Sequence, residues 1–194
     1  MKKRTPRPYT LKRRAEQQAE TRRRIVEAAI DLHGSVGPAA TTFSMVAERA
    51  SVQRHTLYAH FPDERSLLQA CSGLFGEQHP LPDAEAWRAI EDSTERLRVG
   101  LRALYLWYER NAGMAACVLR DAEHHAPTRE VSERWMGPAM AAYDAVLGAR
   151  LNARQRALLH LALSYFTWRT LAQNGLKTGA AVTAMVQAID AAGG

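Results

Sequence analysis

The sequence predicts an all-α protein in two parts: a basic N-terminal unit of three helices that includes a helix-turn-helix, and a larger, nearly neutral helical remainder. Three observations carry this. Apolar residues recur at helical spacing along almost the whole chain, and no stretch shows the alternation of a half-buried strand. Glycine and proline punctuate the periodic segments and set their ends. Residues 1–70 hold 13 Lys or Arg against 7 Asp or Glu, whereas residues 71–194 hold 13 of each, so the formal charge of +6 belongs to the first part.

Length and composition set outer bounds. A chain of 194 residues, 46% of them hydrophobic, can bury a true core as one domain with an appendage or as two small domains. Its two cysteines, Cys71 and Cys117, are far apart and match no metal spacing, which favours reduced thiols over a disulfide framework. Cys71 shares an apolar stripe with Leu67 and Leu74 and reads as core. The basic N-terminus runs into AEQQAETRRR rather than an apolar stretch, and no run approaches the roughly 18 apolar residues of a membrane span. A cytoplasmic protein without a membrane partner is expected.

Taken in order, residues 1–15 form a basic arm, extended at first by Pro6 and Pro8, with a helix starting near Thr10 and running to about His33. Gly34, Gly37 and Pro38 stop it, and Ile25, Ala28, Ala29 and Leu32 are its buried stripe. In the next helix Phe43, Val46, Ala47 and Ala50 share one face, and Thr41 or Thr42 offers a capping oxygen. Val52 plugs the turn. The following helix begins near Gln53 or Arg54 and must stop at Phe61, because Pro62 disfavours helical backbone in the residue before it. A fourth helix, residues 63–78, follows at once with apolar residues at 67, 68, 71, 74 and 75. The best domain boundary lies between Gly76 and Asp92, giving a unit at 16–75 and another at 76–194. Further helices are expected at 93–110, around Met114, Cys117 and Val118, at 128–149, at 152–174 closed by Gly175, and at 178–191.

Residues 41–61 carry the most chemistry. A helix of about two turns is marginal alone, so Leu57 and Phe61 must pack it onto neighbours while the rest of its surface stays free. That surface holds Arg54, His55, Thr56, Tyr58 and His60, and no acidic residue lies between Glu48 and Asp63. A face meeting phosphate needs that absence. Ten basic residues against two acidic ones in residues 1–24 add a second polyanion-seeking element. The plainer reading is a helical hairpin inside any all-α core, with its charges merely solvated.

The stretch VAERASVQRHTLYAHF resembles the DNA-binding domain of TetR-type transcriptional regulators, whose pattern runs roughly IAxxAGVSxGTLYxHF. The likeness covers residues 25–75; beyond residue 80 only LYLWYERN, VLRDAE and TWRTL look like some C-terminal domains. The resemblance implies a homodimer held through residues 152–191 as a four-helix bundle. Each copy would place the helix from Arg54 to His60 in the major groove of operator DNA. A small apolar or aromatic effector would bind among residues 93–174, shift the fourth helix and release a repressor. Thr42 and Ser44 would touch phosphates, Arg54, His55 and Thr56 would approach bases or backbone, and Tyr58 and His60 would hold the phosphate strand. Gln53, Arg13 and Arg14 complete the DNA-facing set. Trp87, Leu101, Tyr105, Tyr108, Cys117 and Trp168 are the candidate effector contacts, because their rings and soft side chains exceed what one stripe needs. For each, ordinary core is the rival reading.

Four positions depart from the family pattern: Ser51 replaces the glycine of the turn, Gln53 a better cap, His55 a small residue, and Glu64 a lysine that meets phosphate. Glu64 opposes phosphate binding unless Arg65 or the arm offsets it. The arm itself either enters a narrow minor groove or serves as a solvated tail that raises nonspecific affinity. Two other function classes remain. A nonspecific architectural DNA binder fits the arm but not the neutral, tryptophan-rich part. An enzyme would have to use Asp121, Glu123, His124 and His125, yet a third zinc ligand is missing, as are a nucleophile elbow, a phosphate loop and a dinucleotide fingerprint. No enzyme activity, metal or cofactor is expected.

Overall fold

The computed structural model describes residues 8–194, with side chains from residue 12 onward; the first seven residues of the expected arm lie outside the described residues. Every regular element described is a helix: α1 (Pro8–Ser35), α2 (Phe43–Arg49), α3 (Arg54–His60), α4 (Glu64–Gln78), α5 (Glu85–Arg88), α6 (Ser93–Arg110), α7 (Ala112–Ala122), α8 (Ala126–Leu147), α9 (Ala153–Leu163), α10 (Tyr165–Gln173) and α11 (Thr178–Ala191).

Two apolar clusters form. In the head, Ile25, Val26 and Ala29 of α1 pack with Val46, Ala47, Leu57, Phe61, Leu67 and Cys71 from α2, α3 and α4. In the body, α6 supplies Leu97, Leu101, Leu104, Tyr105 and Tyr108, which meet Tyr143, Val146 and Leu147 of α8, Leu159 and Ala162 of α9, and Val182, Val186 and Ile189 of α11. The two parts meet where α1 lies on α7 and α4 lies on α8.

Local chemistry sets the helix ends. Thr42 caps α2 by accepting from the Met45 N–H at 3.2 Å, and Asp63 caps α4 through the Ser66 N–H at 2.7 Å. Gln53 makes no side-chain capping bond to α3.

Three expected boundaries change. The first helix begins at Pro8 rather than Thr10, and Arg13 and Arg14 are exposed residues within it. The helix expected at 128–149 starts at Ala126, because a proline in the first turn has no N–H to lose to the ladder. The single helix expected at 152–174 is two, broken at Ser164, whose extended backbone (ψ 131°) ends the α9 ladder. The break leaves carbonyls inside the core. Tyr105 and Tyr108 donate their hydroxyls to the oxygens of Ala162 and Leu163, at 2.9 and 2.7 Å.

Candidate nucleic-acid interface and interdomain cavity

The helix α3 is held by one face only. Leu57 is fully buried, whereas Gln53, Arg54, His55 and Tyr58 are exposed and Thr56 and His60 half-buried. Tyr58 stands 49% exposed, which is unusual for a large ring, and touches the Phe43 ring at 5.1 Å. Among the described residues no hydrogen bond or ion pair occupies the side chains of Arg54, His55, Thr56, Tyr58 or His60. Unengaged donors and rings on a helix end make a surface fit for an external acceptor. Thr42 and Ser44 lie exposed at the start of α2, next to that surface in sequence; the Thr42 oxygen is committed to its cap while its O–H remains free to donate.

The head is braced beneath α3. Ser51 adopts the left-handed conformation (φ 53°) that glycine would take more easily, which turns the chain between α2 and α3. The Val52 N–H then returns to the Ala47 oxygen at 2.9 Å. Arg22 lays its guanidinium over the Phe61 ring at 4.7 Å, and Arg49 pairs with Asp31 at 2.9 Å. Arg65, expected with the arm as one of two ways to offset Glu64, pairs with Glu130 of α8 at 2.7 Å. Glu64 itself approaches His125 Nε2 at 3.5 Å. Both residues therefore tie α4 to the body.

The six residues expected to bind an effector do not share a cavity. Trp87, Leu101, Tyr105, Tyr108 and Trp168 are buried in the body core, and the Cys117 thiol points to the Gly34 oxygen of α1 at 3.6 Å. Their rings are used: those of Tyr108, Tyr165 and Trp168 pack mutually at 5.4 to 5.8 Å, and burial pushes the hydroxyls of Tyr105 and Tyr108 to higher pKa. Surplus aromatic character on α6 thus serves the healed break between α9 and α10. Tyr108 alone also borders an open groove, which runs past Met136, Met140 and Phe166.

An apolar cavity of about 70 Å³ lies elsewhere, at the joint of head and body. The head gives Ile30, His33, Pro38, Leu68, Cys71 and Phe75, and the body gives Trp107, Met114, Val118, Ser132 and Trp135. His33 is 5% exposed; burial, only partly opposed by the charge of Asp121, lowers its pKa to about 4, so the ring is neutral. Burial likewise pushes the Cys71 thiol up to about 12 and leaves it unreactive. Sequence reading missed this wall because its residues come from five helices, several of them distant in the chain.

At the rim Asp121 accepts from the Ala39 N–H, and Arg120 reaches both Asp121 (2.8 Å) and the Val36 oxygen (3.1 Å). Burial pushes the Asp121 carboxyl up, but the Arg120 and Ala39 hydrogen bonds and the charges of Arg120 and His124 outweigh it and leave its pKa low. Among the described residues no cluster of three or more His, Cys, Asp or Glu could hold a metal ion.

Residues 25–71, the segment that builds this head, match the family described as bacterial regulatory proteins, tetR family. The chain belongs to the TetR family. The HTH-type transcriptional regulator SrpR of Pseudomonas putida is 35% identical over 79 residues, 37% of this chain and 36% of that protein. The tetracycline repressor protein class A from transposon 1721 of Escherichia coli is 30% identical over 149 residues, 74% of this chain and 62% of that protein. This TetR-family chain spans between 33% and 62% of the length of the curated relatives it matches. Its fold is that of the transcriptional regulator FadR from Bacillus subtilis, solved in complex with stearoyl-CoA, with a TM-score of 0.61 at 16% identity over 86% of this chain and 96% of that one. Among the described residues no helix is long and apolar enough to cross a membrane.

Proposed function

We propose that this chain is a cytoplasmic, sequence-specific DNA-binding transcriptional regulator, a repressor that leaves its operator when a small apolar or aromatic effector binds. The observation that carries the reading is the open face of α3, where the side chains of Arg54, His55, Thr56, Tyr58 and His60 make none of the described hydrogen bonds or ion pairs and only the Tyr58 ring leans on Phe43. Arg13 and Arg14, on the exposed first turns of α1, and Thr42, Ser44 and Gln53, around the turn, supply backbone contacts. Repression is favoured by the likeness to a protein named as a tetracycline repressor.

Two copies are needed, because one two-turn helix makes too few contacts for a specific site. Pairing runs through residues 152–191, and the exposed Leu161 and Phe166, 50% and 40% accessible, supply apolar area there. A monomeric mass at micromolar concentration would contradict this.

The test is salt-controlled binding to the duplex upstream of its own gene against random duplex. The specific site should bind at least about 10³-fold tighter at physiological salt. Equal affinity at every salt concentration would instead mark an architectural binder. Replacing Thr56 and Tyr58 with alanine should abolish the preference with the melting temperature little changed, since neither side chain is buried in the core.

A further inference from the structure

We propose that the cavity between head and body is a binding site for an uncharged aromatic molecule, held through a hydrogen bond to His33, and that its occupation wedges the head away from the body. The proposal deepens the effector reading above and depends on it only for the consequence at DNA.

The chemistry of the wall selects the ligand. Phe75, Trp107 and Trp135 present rings, and Met114 adds a soft side chain beside them. Among the described residues lining the cavity there is no Asp, Glu, Lys or Arg. A carboxylate entering here would lose its water and find no cation. A cation fares no better, because Asp121, the carboxylate whose charge acts on His33, already accepts from Arg120 and from the Ala39 N–H. His33 is the one titratable group among the lining residues whose proton equilibrium leaves it open to either a donor or an acceptor. It is more than nine-tenths buried, and none of the described hydrogen bonds uses its ring nitrogens. A buried polar group without a partner is a vacancy for a ligand's hydroxyl or carbonyl.

Size supplies the wedge. The space is about 70 Å³, whereas an apolar cavity that takes benzene measures about 150 Å³. A single ring must therefore enlarge it. Body cores resist expansion because they are close-packed, so the gain has to come where two separately packed units meet. Here α1 and α4 form one wall and α6, α7 and α8 the other. Widening that joint strains the Asp121 to Ala39 bond, the Cys117 to Gly34 contact and the Arg65 to Glu130 pair, each of which crosses it.

The experiment is calorimetric titration of the full chain with four probes of one ring size: phenol, toluene, benzoate and benzylammonium. Phenol and toluene should bind saturably and the two charged probes at least tenfold more weakly. His33→Leu should weaken phenol at least fivefold and leave toluene unchanged, while His33→Gln restores most of the phenol affinity. Val118→Phe, which fills the cavity, should abolish all binding and guards against a histidine variant that fails to fold. With phenol bound, amide exchange at Ala39 should accelerate. Charged probes binding as well as phenol, no probe binding, or unchanged protection at Ala39 would each overturn the proposal. None of these readouts uses DNA, so a failed operator would be seen separately.

Discussion

The Asp121 carboxylate accepts the Ala39 backbone N–H at 2.9 Å, across 82 residues of sequence. One partner sits at the end of α7 and the other in the loop that feeds α2, so the bond fastens the reading unit to the body. Gly37 makes the approach possible: its φ of +99° is open to glycine, and a Cβ there would clash with both Asp121 and Arg120.

Replacing Asp121 with alanine leaves the Ala39 N–H without its partner and removes the anion that Arg120 grips. The expected loss is about 1–3 kcal/mol, read as a lower midpoint in urea. The same substitution should raise phenol affinity, because a bond broken by widening no longer opposes it. Lower stability with unchanged or weaker phenol binding would show that Asp121 is a brace unconnected to the cavity.

His33 makes stability depend on pH. Its ordinary pKa of 6.5 falls to about 4 in the fold, so between those values the unfolded chain binds more protons than the native one. Stability therefore rises with pH across that window and is lost as pH falls from 6.5 toward 4, by about 3 kcal/mol at 1.36 kcal/mol per unit. Denaturant titrations of wild type and His33→Gln from pH 7 to pH 4 should show the wild type's relative stability dropping by that amount. Parallel curves would mean that the imidazole is not desolvated.

The head was legible because its signals are local. The stop at Pro62, the lone inward Leu57 on a two-turn helix and the ring-and-donor surface of α3 all follow from residues within 20 positions of one another. The body was legible only as helices. Nothing near Ser164 marks a break, since the hydroxyls that make it tolerable come from Tyr105 and Tyr108 on α6, more than 50 residues earlier. Counting rings on α6 pointed to a ligand, yet those rings complete the core. The cavity wall, drawn from α1, α4, α6, α7 and α8, has no sequence period of its own.

Ser51 offers a gain in stability. At φ 53° a non-glycine residue carries roughly 1–2 kcal/mol of strain, and glycine's greater loss of entropy on folding returns about 0.5–1 of it. Ser51→Gly should therefore stabilise the chain by about 0.5–1 kcal/mol without altering the face of α3. An unchanged urea midpoint would indicate that glycine's entropy cost cancels the strain it relieves, since the backbone N–H of residue 51 bonds the Glu48 oxygen at 3.0 Å whichever residue stands there.

Tyr108→Phe separates a core role from a ligand role. The variant keeps the ring against Tyr165 and Trp168 but removes the hydroxyl that meets the Leu163 oxygen at 2.7 Å, inside the break between α9 and α10. That carbonyl has little access to water, so the fold should lose about 1–3 kcal/mol. Phenol binding should not change, because Tyr108 does not line the interdomain cavity. Calorimetry and urea unfolding on the same preparation decide it. A fall in phenol affinity with stability intact would return Tyr108 to the effector site and move that site into the body.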